Sequence, residues 1–319
     1  MKKQFNIIVV IIALISILSF AIISNYDYDG MILINAQTID LDDNTSNTNI
    51  IKLENIPTKQ VKVGDIDISY KIFGKGDPIL LIMGYPGPMY GWDPIFLKGL
   101  STNHTVIVFD SRGIGNTTVG SKNFTIDQFA ADSAGLLDVL KINKSDVLGY
   151  SMGGMIAQQL TLNYPDKVDD LIIYASYCGG NQSIAPNQQI VEQFTDLSGS
   201  SEDIKTRFIP LLLTENWIKQ NPNYMEKFAS LELPPVDILE KQLNAIFSWE
   251  GTCNQLKEIS QDTLVVTGTN DLLLPSANSM ILTEKIPGAW LAQFKDGGHG
   301  LMSQYPERLS AIVNTFLDK

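Results

Sequence analysis

Gly149-Tyr150-Ser151-Met152-Gly153 constrains this chain more than any other stretch. Residues 145–148 before it can form a short buried strand, and Gly154, Met155, Ile156, Ala157 and Leu160 after it recur at helical spacing. A strand that becomes a helix within so few residues brings backbone segments together, so a Cβ at 149 or 153 would collide with a neighbouring element. The same turn strains the residue between the glycines and lifts its side chain clear of the sheet. That residue is a serine.

A serine hydroxyl acts as a nucleophile at neutral pH only with a base in hydrogen-bond reach and a carboxylate to orient the base. The chain has two histidines. His104 lies in the polar turn Ser101-Thr102-Asn103-His104-Thr105 and reads as a solvated loop residue. His299 lies in Asp296-Gly297-Gly298-His299-Gly300, between a strand expected at 290–294 and a helix beginning near 304. A loop at the carboxyl end of a sheet would deliver it to the serine. Asp271, in Thr267-Gly268-Thr269-Asn270-Asp271, follows the apolar run 264–266 and is the expected carboxylate. An Asx turn accounts for Asn270-Asp271 equally well. The chain order Ser, Asp, His, which differs from both main serine-protease orders, favours the carboxylate role.

Strands expected at 60–63, 66–73, 78–82, 105–109, 145–148 and 168–173 alternate with helices at 92–100, 125–140 and from 152. Thr125 and Gln128 have the spacing of a capping box. After residue 262 the alternation resumes, with strands at 263–267 and 290–294 and helices at 276–286 and 306–316. This predicts an α/β fold, a mostly parallel sheet with helices on both faces. Between 176 and 261 the alternation stops, and apolar residues recur at helical spacing over 190–197, 208–217 and 236–247. These residues are expected to form a helical lid inserted into a core of 59–175 and 262–319. Asp110 and Arg112, in the turn after 105–109, are expected to pin that loop rather than to do chemistry. Gly113-Ile114-Gly115 lacks the third glycine of a dinucleotide fingerprint.

Met83-Gly84-Tyr85-Pro86-Gly87, Phe109-Asp110-Ser111-Arg112-Gly113, the turn at 149–153, Asp271 and Gly298-His299-Gly300 together resemble an α/β-hydrolase with a single-serine active site. The resemblance covers residues 61–317 and is to the esterase, haloperoxidase-like and iminopeptidase-like branches. It implies an oxyanion hole built from the backbone N–H groups of Tyr85 and Met152. Met83 stands where such proteins usually carry histidine, which removes a side-chain brace from the loop. The resemblance further implies a serine hydrolase acting on a carboxylic ester or related acyl group, with Ser151, His299 and Asp271 as nucleophile, base and orienting acid. One rival is a proline iminopeptidase, in which lid glutamates hold the substrate amine. The other is a non-catalytic, ligand-binding homologue that keeps the fold. Phenylalanines, leucines and tryptophans in the lid predict a small-molecule acyl substrate that is partly apolar.

The net charge of -12 leaves no basic stripe to neutralise phosphates, so nucleic acid is excluded as a partner. No histidine or cysteine cluster has metal-ligand spacing, so neither metal nor cofactor is expected. Lys2 and Lys3 precede an apolar run at 7–23 interrupted only by Ser16 and Ser19. Residues 1–36 thus read as a signal peptide or as an uncleaved membrane anchor. Both place the remainder outside the cytoplasm, secreted or attached to the membrane. Residues 37–58, rich in Asp, Asn, Thr and Ser, bury too little to offset their ordering entropy and are expected to be a flexible tether. Cys178 and Cys253 fall where the chain enters and leaves the lid, and a disulfide between them is permitted outside the cytosol. The sequence leaves open whether the two meet.

Overall fold

The computed structural model describes residues 32–35, 50–222, 224 and 232–319. Nine strands form its central sheet: β1 Ile32–Asn35, β2 Lys59–Val63, β3 Ile66–Gly74, β4 Asp77–Ile82, β5 His104–Phe109, β6 Ser145–Tyr150, β7 Val168–Tyr174, β8 Thr263–Gly268 and β9 Trp290–Phe294. Their spatial order is β1-β9-β8-β7-β6-β4-β5-β3-β2. Only β3 runs against the others. Ile79, Leu80, Leu81 and Ile82 expose no surface, as a strand covered on both faces requires. Each such side chain contributes about 1.5–3 kcal/mol by burial.

The helices are α1 Pro94–Ser101, α2 Ile126–Val139, α3 Met152–Asn163, α4 Gln188–Thr195, α5 Ser201–Leu212, α6 Glu215–Gln220, α7 Val236–Phe247, α8 Ala277–Lys285, α9 Leu301–Gln304 and α10 Pro306–Leu317. α2, α3 and α8 cover one face of the sheet through Phe129, Ile156, Leu160 and Leu282. α1 and α10 cover the other through Phe96, Leu97, Ile312 and Phe316. Local chemistry sets the helix starts. Asp93 accepts the N–H groups of Ile95 and Phe96 ahead of α1, and Pro94 occupies the first turn, where a missing N–H costs nothing. α4 to α7 lie between β7 and β8 and form the helical insertion. Cys178 and Cys253 are joined as a disulfide across its base, 75 residues apart in sequence.

Several expectations change. The apolar run at 7–23 lies outside the described residues. Ile32–Asn35, read as the end of the leader, pairs in parallel with Trp290–Gln293 at the sheet edge. The expected tether is ordered from residue 50 onward: Leu53 is buried in a short turn, and the Lys71 ammonium donates to Ile56 O (2.5 Å) and Thr58 Oγ1 (2.7 Å). That lysine is itself buried, so it must find partners in the polar segment. The single helix expected at 208–217 is two helices, α5 and α6, separated at Leu213 and Thr214. Half of the capping box forms: Thr125 Oγ1 accepts Gln128 N–H (3.0 Å), while the Gln128 amide turns to Asp132 (2.8 Å). His104 is buried rather than solvated, because it opens β5 instead of ending a loop.

Candidate active site

β6 ends at Tyr150 and α3 starts at Met152, so Ser151 alone makes the turn. Its φ of 56° and ψ of -117° lie where a Cβ is crowded, which is the strain expected of this position. Hydrogen bonds to its main chain hold it there. Ser151 N–H donates to Tyr174 O (2.9 Å), and Ser151 O accepts Gly154 N–H (2.8 Å) and the Ser176 hydroxyl (2.8 Å). The flanking glycines are steric necessities: a Cβ on Gly149 would stand 2.1 Å from Gly153 O, and one on Gly153 2.0 Å from Ile82 O.

His299 Nε2 lies 2.8 Å from Ser151 Oγ, and Nδ1 lies 2.8 Å from Asp271 Oδ2. The other Asp271 oxygen accepts Leu273 N–H (2.9 Å) and Leu274 N–H (2.8 Å). The Asx turn and the contact to histidine, set against each other in the sequence, therefore coexist with one carboxylate oxygen each. Both His299 and Asp271 are buried. The arrangement can pass a proton from the serine hydroxyl to the imidazole while the carboxylate fixes the ring.

Two supporting hydroxyls escaped the sequence reading. Tyr174 donates to His299 O (3.0 Å) and accepts Met302 N–H (3.0 Å), and Ser176 buttresses Ser151 as given above. Tyr174 lies just beyond the strand expected at 168–173, and Ser176 reads only as the lid boundary. Their signal was a pair of hydroxyls at the carboxyl end of the strand that follows the serine. The Tyr150 ring sits 5.2 Å from the His299 ring and 4.6 Å from the Tyr174 ring. Burial pushes both phenols well above their ordinary pKa, so they stay neutral beside Asp271.

The Met83–Gly87 loop passes directly against the serine: a Cβ on Gly84 would lie 2.8 Å from Tyr150 O and 2.9 Å from Ser151 Cβ. Met152, first in α3, has an N–H with no carbonyl one turn back. The missing histidine brace has two substitutes. The Met83 side chain fills the space beside Gly87 and Gly91, and Asp110 accepts Met89 N–H (2.7 Å) and Asn116 N–H (3.3 Å). Arg112 is buried between Asp65 (2.9 Å) and Asp132 (2.8 Å), where it ties the following loop to α2. These charges pin loops, as their position after β5 suggested.

Ser151 opens on a cavity of about 240 Å³. Met155, Ile184, Ile190, Phe194, Ile246 and Leu274 supply apolar walls, Tyr177 and Ser183 add hydroxyls, and among the described residues no charged side chain lines it. A smaller cavity of about 60 Å³ touches Gly84, Tyr85, Tyr150, Met302 and Ser303. The roof is joined to the histidine loop by main chain, since Leu212 O at the end of α5 accepts Gly300 N–H (2.7 Å). Among the described residues no group of three or more His, Cys, Asp or Glu side chains is placed to hold a metal ion.

A central sheet of this order with a serine on the strand-to-helix turn defines a class, and sequence comparison agrees: the chain belongs to the alpha/beta hydrolase fold family, whose profile matches residues 77–306. It is similar to a putative carbamate hydrolase RutD of Azorhizobium caulinodans, at 28% identity over 259 residues covering 79% of this chain and 96% of that protein. In fold it is similar to the enol-lactonase from Burkholderia xenovorans LB400, with a TM-score of 0.73 and 21% identity over 82% of this chain and 100% of that one. It is also similar to a thermophilic esterase from Thermogutta terrifontis, with a TM-score of 0.72 and 24% identity over 82% and 98% of the two chains.

Proposed function

We propose that this protein is a serine hydrolase that cleaves a neutral, partly apolar carboxylic ester or related acyl substrate through an acyl-enzyme. The observation that carries the reading is the hydrogen-bonded chain Ser151, His299, Asp271 opening on an uncharged apolar cavity. Ser151 Oγ attacks the carbonyl carbon as His299 Nε2 takes its proton, and Asp271 stabilises the resulting imidazolium. The N–H groups of Tyr85 and Met152 receive the oxyanion, and losing one such donor typically costs about 10² to 10³ in rate. His299 then protonates the leaving group, and water repeats the attack to release the acid. Carbamate, enol-lactone and ester, the bonds named for the three relatives, each present a carbonyl to an attacking oxygen.

Ser151→Ala in the purified protein is expected to abolish hydrolysis of p-nitrophenyl acetate and butyrate; activity that survives the change sinks the assignment. A proline iminopeptidase is disfavoured because, among the described residues, no carboxylate lines the Ser151 cavity to hold a substrate amine. Proline p-nitroanilide should turn over more slowly than simple esters. A purely ligand-binding homologue would leave Ser151 unlabelled by a fluorophosphonate, whereas labelling is expected. Export, or attachment to the membrane through the apolar run at 7–23, belongs to the same proposal. It is supported by the Cys178–Cys253 disulfide, a bond that persists in oxidising compartments.

A further inference from the structure

One wall of the Ser151 cavity is a stretch of irregular chain, with Gly180, Ser183, Ile184, Ala185 and Pro186 all facing the cavity. Its first end is well secured. Cys178 is in the disulfide, Cys178 O accepts Thr252 N–H (2.7 Å), and the Ser183 hydroxyl donates to Gly179 O (2.8 Å). Its far end, before α4 begins at Gln188, is held differently. Ile184 N–H donates to Asn278 Oδ1 (2.8 Å), and Asn278 Nδ2 donates to Ile184 O (2.8 Å). One primary amide thus satisfies both main-chain groups of one residue, as a neighbouring strand would. Among the described residues no other hydrogen bond holds 184–186.

Asn278 is almost wholly buried in the first turn of α8, seven residues after Asp271. The short segment between them carries Leu273 and Leu274, which line the cavity and donate their N–H groups to Asp271. A single run of chain therefore orients the His299 partner, lines the cavity through Leu273 and Leu274 and pins the segment at Ile184.

We propose that Asn278 is a positioning residue that, by fixing Ile184, sets the length of apolar acyl chain the Ser151 cavity accepts. The proposal rests on the reading of Ser151 as an acyl-transfer nucleophile. Asn278 itself touches no substrate. Its loss releases the wall and smears the cavity, so long chains lose their packing while an acetyl group, with no chain to pack, does not.

The test is a series of p-nitrophenyl esters from acetate through butyrate, hexanoate and octanoate to decanoate, with wild type, Asn278→Leu and Asn278→Asp. The leucine variant keeps the number and branching of the heavy atoms and loses both bonds. Its kcat/KM for the best long ester relative to acetate is expected to fall by about tenfold, through KM rather than kcat, as the loss of a buried bond pair implies. The aspartate variant keeps the acceptor for Ile184 N–H and should fall between the two. Should the leucine variant fail to fold, the aspartate variant and amide exchange of Ile184 in the wild type decide. That amide is expected to be strongly protected. An unchanged long-to-short ratio in a folded variant, or rapid exchange at Ile184, overturns the proposal. Absence of any ester hydrolysis by the wild type would instead count against the Ser151 reading.

Discussion

The floor and the roof of the Ser151 cavity are built by different contacts. Under the serine, main chain presses on main chain: besides the two glycines of the turn, Gly268 at the end of β8 would place a Cβ 2.2 Å from Gly297 O, beside the histidine loop. Over the cavity, α4 and α6 contain no fully buried residue. The insertion is tied down by side chains such as Thr252 to Gln158 (2.8 Å) and Trp249 to Gln159 (3.3 Å), by one disulfide and by the Leu212 carbonyl. A floor of backbone contacts accepts almost no added atom, whereas a roof of side-chain contacts tolerates exchange. The chemistry and the choice of substrate can therefore vary separately.

The sharpest way to break this division is through kinetics. Asp271→Asn keeps an oxygen for Leu273 and Leu274 yet misorients the imidazole, and is expected to lower kcat by about 10⁴. The melting temperature should hardly move. Phe194→Ala in the roof should instead raise KM for apolar esters by less than about tenfold and leave kcat near wild type. If the roof variant were to lose turnover as heavily as the floor variant, the two regions would not be separable.

Stability supplies the next test. Replacing both Cys178 and Cys253 by serine frees a loop of 75 residues, and chain-entropy reasoning gives a loss of about 4 kcal/mol. Calorimetry should show a lower melting temperature, with Ser151 still labelled by a fluorophosphonate below it. An unchanged melting temperature would mean that the base of the insertion is already fixed by its other contacts.

The smallest effect concerns the end of the sheet away from the serine. Burial, with a contribution from nearby Asp170, pushes the Asp146 carboxyl up to about 7. An unfolded chain loses this proton near 3.8, so between about pH 4 and pH 7 the folded chain holds a proton the unfolded one has released. Stability from this group consequently falls as pH rises through that window and levels off above it. Asp146→Asn should match wild type near pH 4 and exceed it by about 1–3 kcal/mol at pH 8, with ester turnover unaffected. Denaturant titrations at the two pH values check both halves.

The same division governs what the sequence disclosed. β9 and α7 fall at the residues expected, because each is a short apolar run at one clear period with turn residues at its ends. Ser151, Asp271 and His299 were legible because glycines and chain order mark them. Tyr174 and Ser176 were not, since a hydroxyl that braces a backbone carbonyl has no spacing rule and depends on which strands lie side by side. His104 was misjudged for a related reason. Its polar neighbours describe the loop before it, while pairing of β5 with β4 draws it inside. The break between α5 and α6 likewise lacks a glycine to announce it.

The bond from Leu212 O to Gly300 N–H couples the overhanging helix to the residue next to the imidazole. Hinging α5 outward would strip an amide adjacent to the imidazole of its carbonyl partner. A transplanted canopy from another family member would then preserve turnover only if its own main chain offered a carbonyl at the same point.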